Sequence, residues 1–293
     1  MKKVVIAGGT GFLGSYLAKR FPKSDYEVLI VSRSQEHVSW KHEELTRALE
    51  GAELVINLAG KNINCRHTEA NRKLILESRV NTTLQIGNAA MACKKPPKLW
   101  INASATGVYR HSVNTAMTEE SGEEGTDFLS DVVREWEKTF FEFNLPETRQ
   151  VVLRTSVVLN SSGGALKPLV ILTRLGLGGK QAGGRQKISW IHIEDYFRIL
   201  TFLLRITDVN GVVNCTSPSP VSNREFMYKL RKELNMPFGI PAPEFAVKLG
   251  AALIQTEPEL LIGSSFVLPK RLLDAGFNFS FPTLDLALSN LLK

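Results

Sequence analysis

The chain of 293 residues has only three cysteines, Cys65, Cys93 and Cys215. They lie far apart and form no Cys-x-x-Cys pair, which sets aside a disulfide framework, a zinc ribbon and a dithiol redox motif. No apolar run approaches the roughly 18 residues that a membrane span needs. Lys2-Lys3 followed by Val-Val-Ile-Ala imitates a signal peptide, but the apolar run stops at Gly8-Gly9, too soon for an h-region. The expectation is a cytoplasmic protein with no membrane partner. No internal repeat of roughly 20–50 residues is present, which sets aside solenoids and propellers. Acidic residues are in deficit, 29 against 36 Lys and Arg, for a net charge of +7. The basic residues are dispersed, with Lys94-Lys95 and Arg231-Lys232 the densest patches. A nucleic-acid partner is therefore not expected, and an anionic, phosphorylated ligand accounts for the excess equally well.

Hydrophobic residues make up 43% of the chain, enough for a sizeable core. Short apolar runs of the buried parallel-strand type recur at 4–7, 28–32, 54–59, 99–104 and 150–155. Between them, residues 67–93 and 128–143 read as long helices. This βαβαβ succession implies an α/β fold, a doubly wound parallel sheet of the Rossmann kind with helices on both faces. After about residue 160 the texture changes: glycines cluster around one helical stretch, then Lys187–Leu204 reads as strand, turn and helix. From 216 on helices dominate, broken by Pro237, Pro241, Pro243, Pro258, Pro269 and Pro282. That pattern predicts a smaller, mainly helical cap. The boundary is interleaved: 1–163 plus 187–215 form the dinucleotide-binding domain, and 164–186 plus 216–293 the substrate or cap domain.

The first strand ends at Ala7, and Gly9, Gly11 and Gly14 fit G-x-G-x-x-G, with Gly8 beside them. One glycine lets the strand turn sharply, one lets backbone amides approach a pyrophosphate, and one lets the helix pack close to the strand. The helix N-terminus then offers unpaired N–H groups and partial positive charge to phosphates. Gly8, Thr10, Gly11, Phe12, Leu13 and Gly14 are the candidate contacts. A dinucleotide site that prefers NAD carries Asp or Glu at the end of the second strand, for the ribose 2′-OH. Ser32 and Arg33 stand there instead, and a guanidinium forks well onto a phosphate. The expected cofactor is NADP(H), with Ser32 and Arg33 on the 2′-phosphate; the alternative for Arg33 is a solvated loop arginine.

GGTGFLG, NLAG (57–60), SATGVY (104–109), LRTSVVL (153–159) and WIHIEDY (190–196) occur in that order. The chain resembles the extended short-chain dehydrogenase/reductases, the sugar-nucleotide epimerases and dehydratases. It is most similar to an atypical branch known as epimerase family proteins, or nucleoside-diphosphate sugar epimerase-like. RLGLGGKQAGGRQKISWIHIEDY, NCTSPSPVSNREF and the tail LPKRLLDAGFNFSFPTLDLAL carry that closer likeness. The resemblance implies that Leu58, Ala59 and Gly60 pass under the cofactor, that Arg79 contacts it and that Val158 borders the nicotinamide. The alternatives are core positions for Leu58 and Ala59 and a solvated helix arginine for Arg79.

Members of that superfamily use a Ser or Thr with a Tyr-x-x-x-Lys dyad, in which the lysine lowers the tyrosine's pKa. Of the five tyrosines only Tyr228 has a lysine four residues on, Lys232, and that pair lies beyond the last sheet strand. If Glu137 aligns with a glutamate of the family pattern, Leu129 and Val133 stand at the dyad positions, and neither moves a proton. Ser104, Thr106 and Tyr109 remain as the catalytic candidates, at the carboxyl end of a strand where doubly wound folds place ligands. Without a cationic neighbour the Tyr109 phenol is expected near ~10, and its alternative role is packing or substrate contact. His192 more readily fixes a strand-to-helix junction than acts as acid or base, with Asp195 the expected helix cap. Two functions follow: an NADP(H)-dependent epimerase-like oxidoreductase acting on a small polar substrate, sugar-nucleotide-like among the candidates, or a non-catalytic NADP(H)-binding sensor or scaffold. A monomer and a homodimer through helices 67–93 and 128–143 both stay open.

Overall fold

The structure, a computed structural model, describes residues 2–253 and 255–293. Its first half alternates strictly: β1 (Lys2–Ala7), α1 (Phe12–Arg20), β2 (Tyr26–Val31), α2 (His42–Leu49), β3 (Leu54–Asn57), α3 (Glu69–Met91), β4 (Leu99–Ala105), α4 (Phe128–Phe141) and β5 (Arg149–Thr155). There follow β6 (Val157–Asn160), β7 (Gly163–Gly164), α5 (Leu166–Leu172), β8 (Lys187–Ile188), β9 (Trp190–His192), α6 (Ile193–Arg205), β10 (Gly211–Cys215), β11 (Val221–Ser222) and α7 (Asn223–Glu233). The remaining elements are helical: α8 (Glu244–Leu253), α9 (Glu259–Ile262), α10 (Lys270–Asp274) and α11 (Leu284–Leu292).

Six strands form one sheet in the order β2-β1-β3-β4-β5-β10, and every pairing in it is parallel. Parallel strands are buried on both faces, which is why each run reads as nearly continuous Val, Ile and Leu. Alternate residues serve opposite faces. Val4, Ile6, Ile56, Ile101 and Leu153 pack with Leu17 of α1 and Leu200 of α6. Val5, Val55, Trp100 and Val152 pack with Leu45 of α2, Ile86 of α3 and Phe140 of α4. The chain leaves β1 toward β2 on one side and returns to β3 on the other, so the topological switch point lies between β1 and β3. Ligands of such sheets bind at that crevice, outside the carboxyl ends of the strands.

Of the late strands, only β10 joins the large sheet. The run at 187–192 goes instead to two small sheets, β11-β8 and β7-β6-β9. A separate core unites Leu159 of β6, Leu166 of α5, Trp190 of β9, Phe226 and Leu230 of α7 and Leu284 of α11.

The β9–α6 junction differs from the expected arrangement. The cap of α6 is His192, whose Nδ1 accepts the Glu194 N–H at 3.1 Å. Asp195, fully buried, turns away from the helix end. Its carboxylate accepts the Ser280 and Phe281 N–H groups at 2.9 and 2.8 Å and pairs with Arg198 at 2.8 Å. The His192 ring stacks on Phe281 with centroids 3.8 Å apart. The physical reason is unmet demand: the tail brings two backbone donors against the buried carboxylate, which accepts both. Asp195→Ala strands those donors and should lower the unfolding free energy by about 3 kcal/mol. Urea denaturation of both proteins measures it.

Candidate cofactor site and catalytic positions

The turn after β1 is shaped by contacts that a side chain would break. Gly8 has φ +77°, and a Cβ on it would stand 2.9 Å from the Ala59 nitrogen. A Cβ on Gly14 would stand 2.4 Å from the Gly8 carbonyl oxygen, so α1 rests directly against the turn. The Gly11 N–H closes the turn on the Gly8 oxygen at 3.0 Å. Gly11 itself sits at the N-cap position, no side chain caps the helix, and its first turn carries no acidic residue. The amides of the first turn are therefore left to a ligand, and the helix dipole favours an anion there. This is the observation on which a dinucleotide pyrophosphate fits. Thr10 and Gly11 are exposed beside it.

The neighbouring candidates converge on the same place. Phe12 lies against Gly163 and Gly164, where an added Cβ would meet its ring at 3.0 Å. Leu13, Leu58 and Val158 pack against one face of the core. A Cβ on Gly8 would meet Leu58 and Ala59, while one on Gly164 would meet the Phe12 ring and the Val158 carbonyl, so α1, the end of β3 and β6 approach the turn. Ser32 is buried, its Oγ accepting the Ser34 N–H at 3.0 Å, which makes a tight bend that leaves Arg33 exposed at the end of β2. Gly60 runs beneath the Arg79 side chain, since a Cβ there would meet Arg79 Cγ at 3.3 Å.

Arg79 is half-buried and has no carboxylate partner among the described residues. Its Nη1 donates to the carbonyls of Lys61 and Ile75 at 3.1 and 2.8 Å, and its guanidinium lies over the Trp136 ring at 5.2 Å. Burial pushes its pKa down to about 10. A buried cation without a counter-ion is costly, and an anionic ligand would relieve that cost. Beneath these residues lies a polar cluster that sequence reading missed. Asn57, fully buried at the end of β3, donates to Asn102 Oδ1 at 2.8 Å and Thr83 Oγ1 at 3.2 Å. Its own Oδ1 accepts the Ala59 N–H at 3.1 Å and so fixes the strand exit under the cofactor. The signal was an Asn closing an otherwise apolar buried strand.

Of the three catalytic candidates, Ser104 and Tyr109 are tied into one buried network, and Thr106 stands outside it. Ser104 donates to Glu137 Oε1 at 2.5 Å, on the α4 side of the sheet. Glu137 also holds Arg154, at 2.9 Å to Nε and 2.7 Å to Nη2, a bidentate pair with both side chains 9% exposed. Arg154 Nη1 donates to the Tyr109 hydroxyl at 2.9 Å, and that hydroxyl donates to Asn214 Oδ1 on β10 at 3.0 Å. Tyr109 does have a cationic neighbour, contrary to expectation. Burial nonetheless raises its phenol pKa, and the Arg154 charge offsets only part of that. Burial also opposes the charge on Arg154, but Glu137 overcomes it and keeps the guanidinium protonated. Thr106 differs from the other two: its hydroxyl has no hydrogen-bond partner among the described residues, at the carboxyl edge of β4. On α4, Leu129 is half-buried, and Val133 packs with Tyr109 and Met117. Tyr228 is 58% exposed, and Lys232 is exposed.

Among the described residues no group of His, Cys, Asp and Glu could hold a metal ion, and no helix is long and apolar enough to cross a membrane.

A doubly wound sheet with a glycine turn at its switch point and a helical C-terminal portion defines a Rossmann-type protein. Residues 4–127 match the NAD dependent epimerase/dehydratase family, and residues 242–291 match a domain of unknown function. The human epimerase family protein SDR39U1 is 35% identical over 296 residues, 99% of each chain. An epimerase family protein of Staphylococcus aureus is 32% identical over 302 residues, the whole of each chain. The crystal structure of the human protein, determined with NADPH, superposes with a TM-score of 0.90 over 99% of this chain and 98% of that one. A nucleoside-diphosphate sugar epimerase from Corynebacterium glutamicum, 27% identical, gives 0.79 over 99% of this chain and 58% of that one. The chain belongs to the epimerase/dehydratase family, in the company of these epimerase family proteins.

The buried pair makes a clear stability test. Arg154→Met leaves the Glu137 carboxylate buried without its partner and should cost about 3–5 kcal/mol. Adding Glu137→Leu removes the stranded charge and should recover more than half of that loss, read from urea unfolding of the three proteins.

Proposed function

We propose that the chain binds NADP(H) at the glycine turn and works as an epimerase-like oxidoreductase on a small polar substrate. The uncapped start of α1, packed against Gly8, is the observation that carries the reading. The NADPH in the human relative supports it. When bound, NADP(H) supplies hydride chemistry at its nicotinamide ring. The chain's own part is to bind and position. The α1 amides and Gly8, Thr10 and Gly11 hold the pyrophosphate, Ser32 and Arg33 the 2′-phosphate, and Leu58, Ala59, Gly60 and Arg79 flank the cofactor. Phe12, Leu13 and Val158 close the apolar side. Thr106 offers a free hydroxyl to a substrate carbonyl. Residues 1–163 with 187–215 would hold the cofactor, and 164–186 with 216–293 would cover the substrate. The compartment proposed is the cytoplasm.

One observation favours the second reading, an NADP(H) sensor or scaffold without turnover. Ser104 and Tyr109 are engaged in buried hydrogen bonds, and if Glu137 aligns with the family's glutamate, Leu129 and Val133 stand at the dyad positions. NADPH oxidation in the presence of small aldehydes and ketones separates the two. Turnover supports the enzyme; tight binding without turnover supports the sensor.

Calorimetric titration with NADPH and NADH tests the cofactor. NADPH should bind more tightly, and Arg33→Ala should remove roughly ten- to a hundredfold of its affinity while leaving NADH nearly unchanged. No binding of either nucleotide would sink the proposal. Arg79→Met removes a buried cation that lacks a counter-ion. Its urea midpoint should hold or rise while NADPH affinity falls tenfold or more.

A further inference from the structure

Cations that are dispersed along the sequence meet in the fold. Two open clefts, of about 520 and 450 Å³, share Ser222 and Arg224 as a common wall. Lys180 and Arg231 line the first, and Arg185 and Lys187 line the second. Among the described residues none of Lys180, Arg185, Lys187, Arg224 and Arg231 has a carboxylate partner. The one carboxylate on the wall, Glu225, is bound to Lys229 at 2.9 Å.

Glycines bring these cations together. Gly184 has φ +69°, and a Cβ on it would stand 3.1 Å from Lys180 Cβ and 3.3 Å from Arg224 Cβ, so both stems flank one residue. A Cβ on Gly239 would stand 2.7 Å from Arg231 Cδ. The Arg231 Nη1 is anchored on the Gly178 carbonyl at 2.5 Å, which fixes its charge at the rim. The Lys187 ammonium lies over the Phe266 ring at 5.0 Å, held without an acid. Segment 176–182 is in turn pinned to 238–242 by backbone hydrogen bonds, Ile240 N–H to the Gly176 oxygen at 2.8 Å among them. The loops that carry the cations are therefore held by backbone as well as by side chains.

Five cations left together without acids repel one another, and an anion between them removes that repulsion. Arginines present forked donors that match phosphate oxygens. We propose that this groove is a second anion site, separate from the glycine turn, that takes the phosphate or diphosphate group of a small molecule. It shares no lining residue with the turn and does not depend on the cofactor assignment. The volumes fall within the range of small-molecule sites, on the order of 300–1,000 Å³. The five cations lie around two adjoining clefts in one patch and not along a stripe that would track a polymer, which favours a small molecule.

The test is calorimetric titration of the full chain with inorganic pyrophosphate, comparing wild type with Lys180→Gln/Arg224→Gln. Unfolding midpoints and NADPH titrations of both proteins serve as controls. In wild type, pyrophosphate should bind and weaken as salt rises. In the double variant that binding should fall tenfold or more, with the midpoint and any NADPH affinity unchanged. The single charge reversal Arg224→Glu should lower it further still than Arg224→Gln. Equal pyrophosphate affinity in wild type and double variant would overturn the site, because the anion then sits elsewhere, the glycine turn included. A single-stranded oligoribonucleotide that binds more tightly and displaces pyrophosphate from wild type would overturn the small-molecule assignment. Absence of NADPH binding in both proteins bears only on the cofactor assignment.

Discussion

The contact between Gly14 and the Gly8 carbonyl sets the position of everything that follows it. With no Cβ between them, the start of α1 lies against the end of β1, and its free amides open onto the crevice between β1 and β3. Any larger residue at either position would push the helix away and dissolve that geometry. Because β1 is central, with β2 on one side and β3 on the other, the displacement would spread through both faces of the sheet. The dense packing of Ile6, Ile56 and Leu17 leaves no slack to absorb it.

Around that fixed point the protein handles polar groups in two ways. On the α4 side they are closed into a chain: Ser104, Glu137, Arg154, Tyr109 and Asn214 satisfy one another, and Glu119 extends the chain to the Asn214 N–H at 2.8 Å. Such a network is rigid, and removing one member exposes the desolvation cost of the rest. Elsewhere they are left open: among the described residues no side chain caps the α1 amides, the Thr106 hydroxyl has no hydrogen-bond partner, and the Arg79 guanidinium and the cations around Arg224 have no carboxylate partner. The closed chain orders the fold. The open groups are those that can meet ligands, and three of the four kinds attract anions.

The sheet and the turn were legible because they depend on short-range pattern. Strand runs of Val, Ile and Leu, glycines at fixed offsets and helical spacing of Phe12, Leu13 and Leu17 are set by steric rules that act within a few residues. The closeness of Ser32, Arg33, Leu58 and Val158 to the turn follows from the same topology, since all lie at carboxyl ends of neighbouring parallel strands or just past them. Strand pairing beyond β5 was less legible. Runs as short as Lys187–Ile188 and Trp190–His192 carry too little pattern to say which sheet they join.

What the sequence by itself determined is the doubly wound class and the nucleotide turn. What only the tertiary structure decided is how each polar side chain is used. Tyr109 finds its acceptor 105 residues away in Asn214, Ser104 finds Glu137 33 residues on, and Asp195 answers backbone donors 85 and 86 residues on. Cations spread from Lys180 to Arg231 become neighbours only when the loops fold back on α7. Local spacing records which conformations a segment prefers. The partner that neutralises a charge or fills a hydrogen bond comes from long-range packing, and no spacing along the chain encodes it.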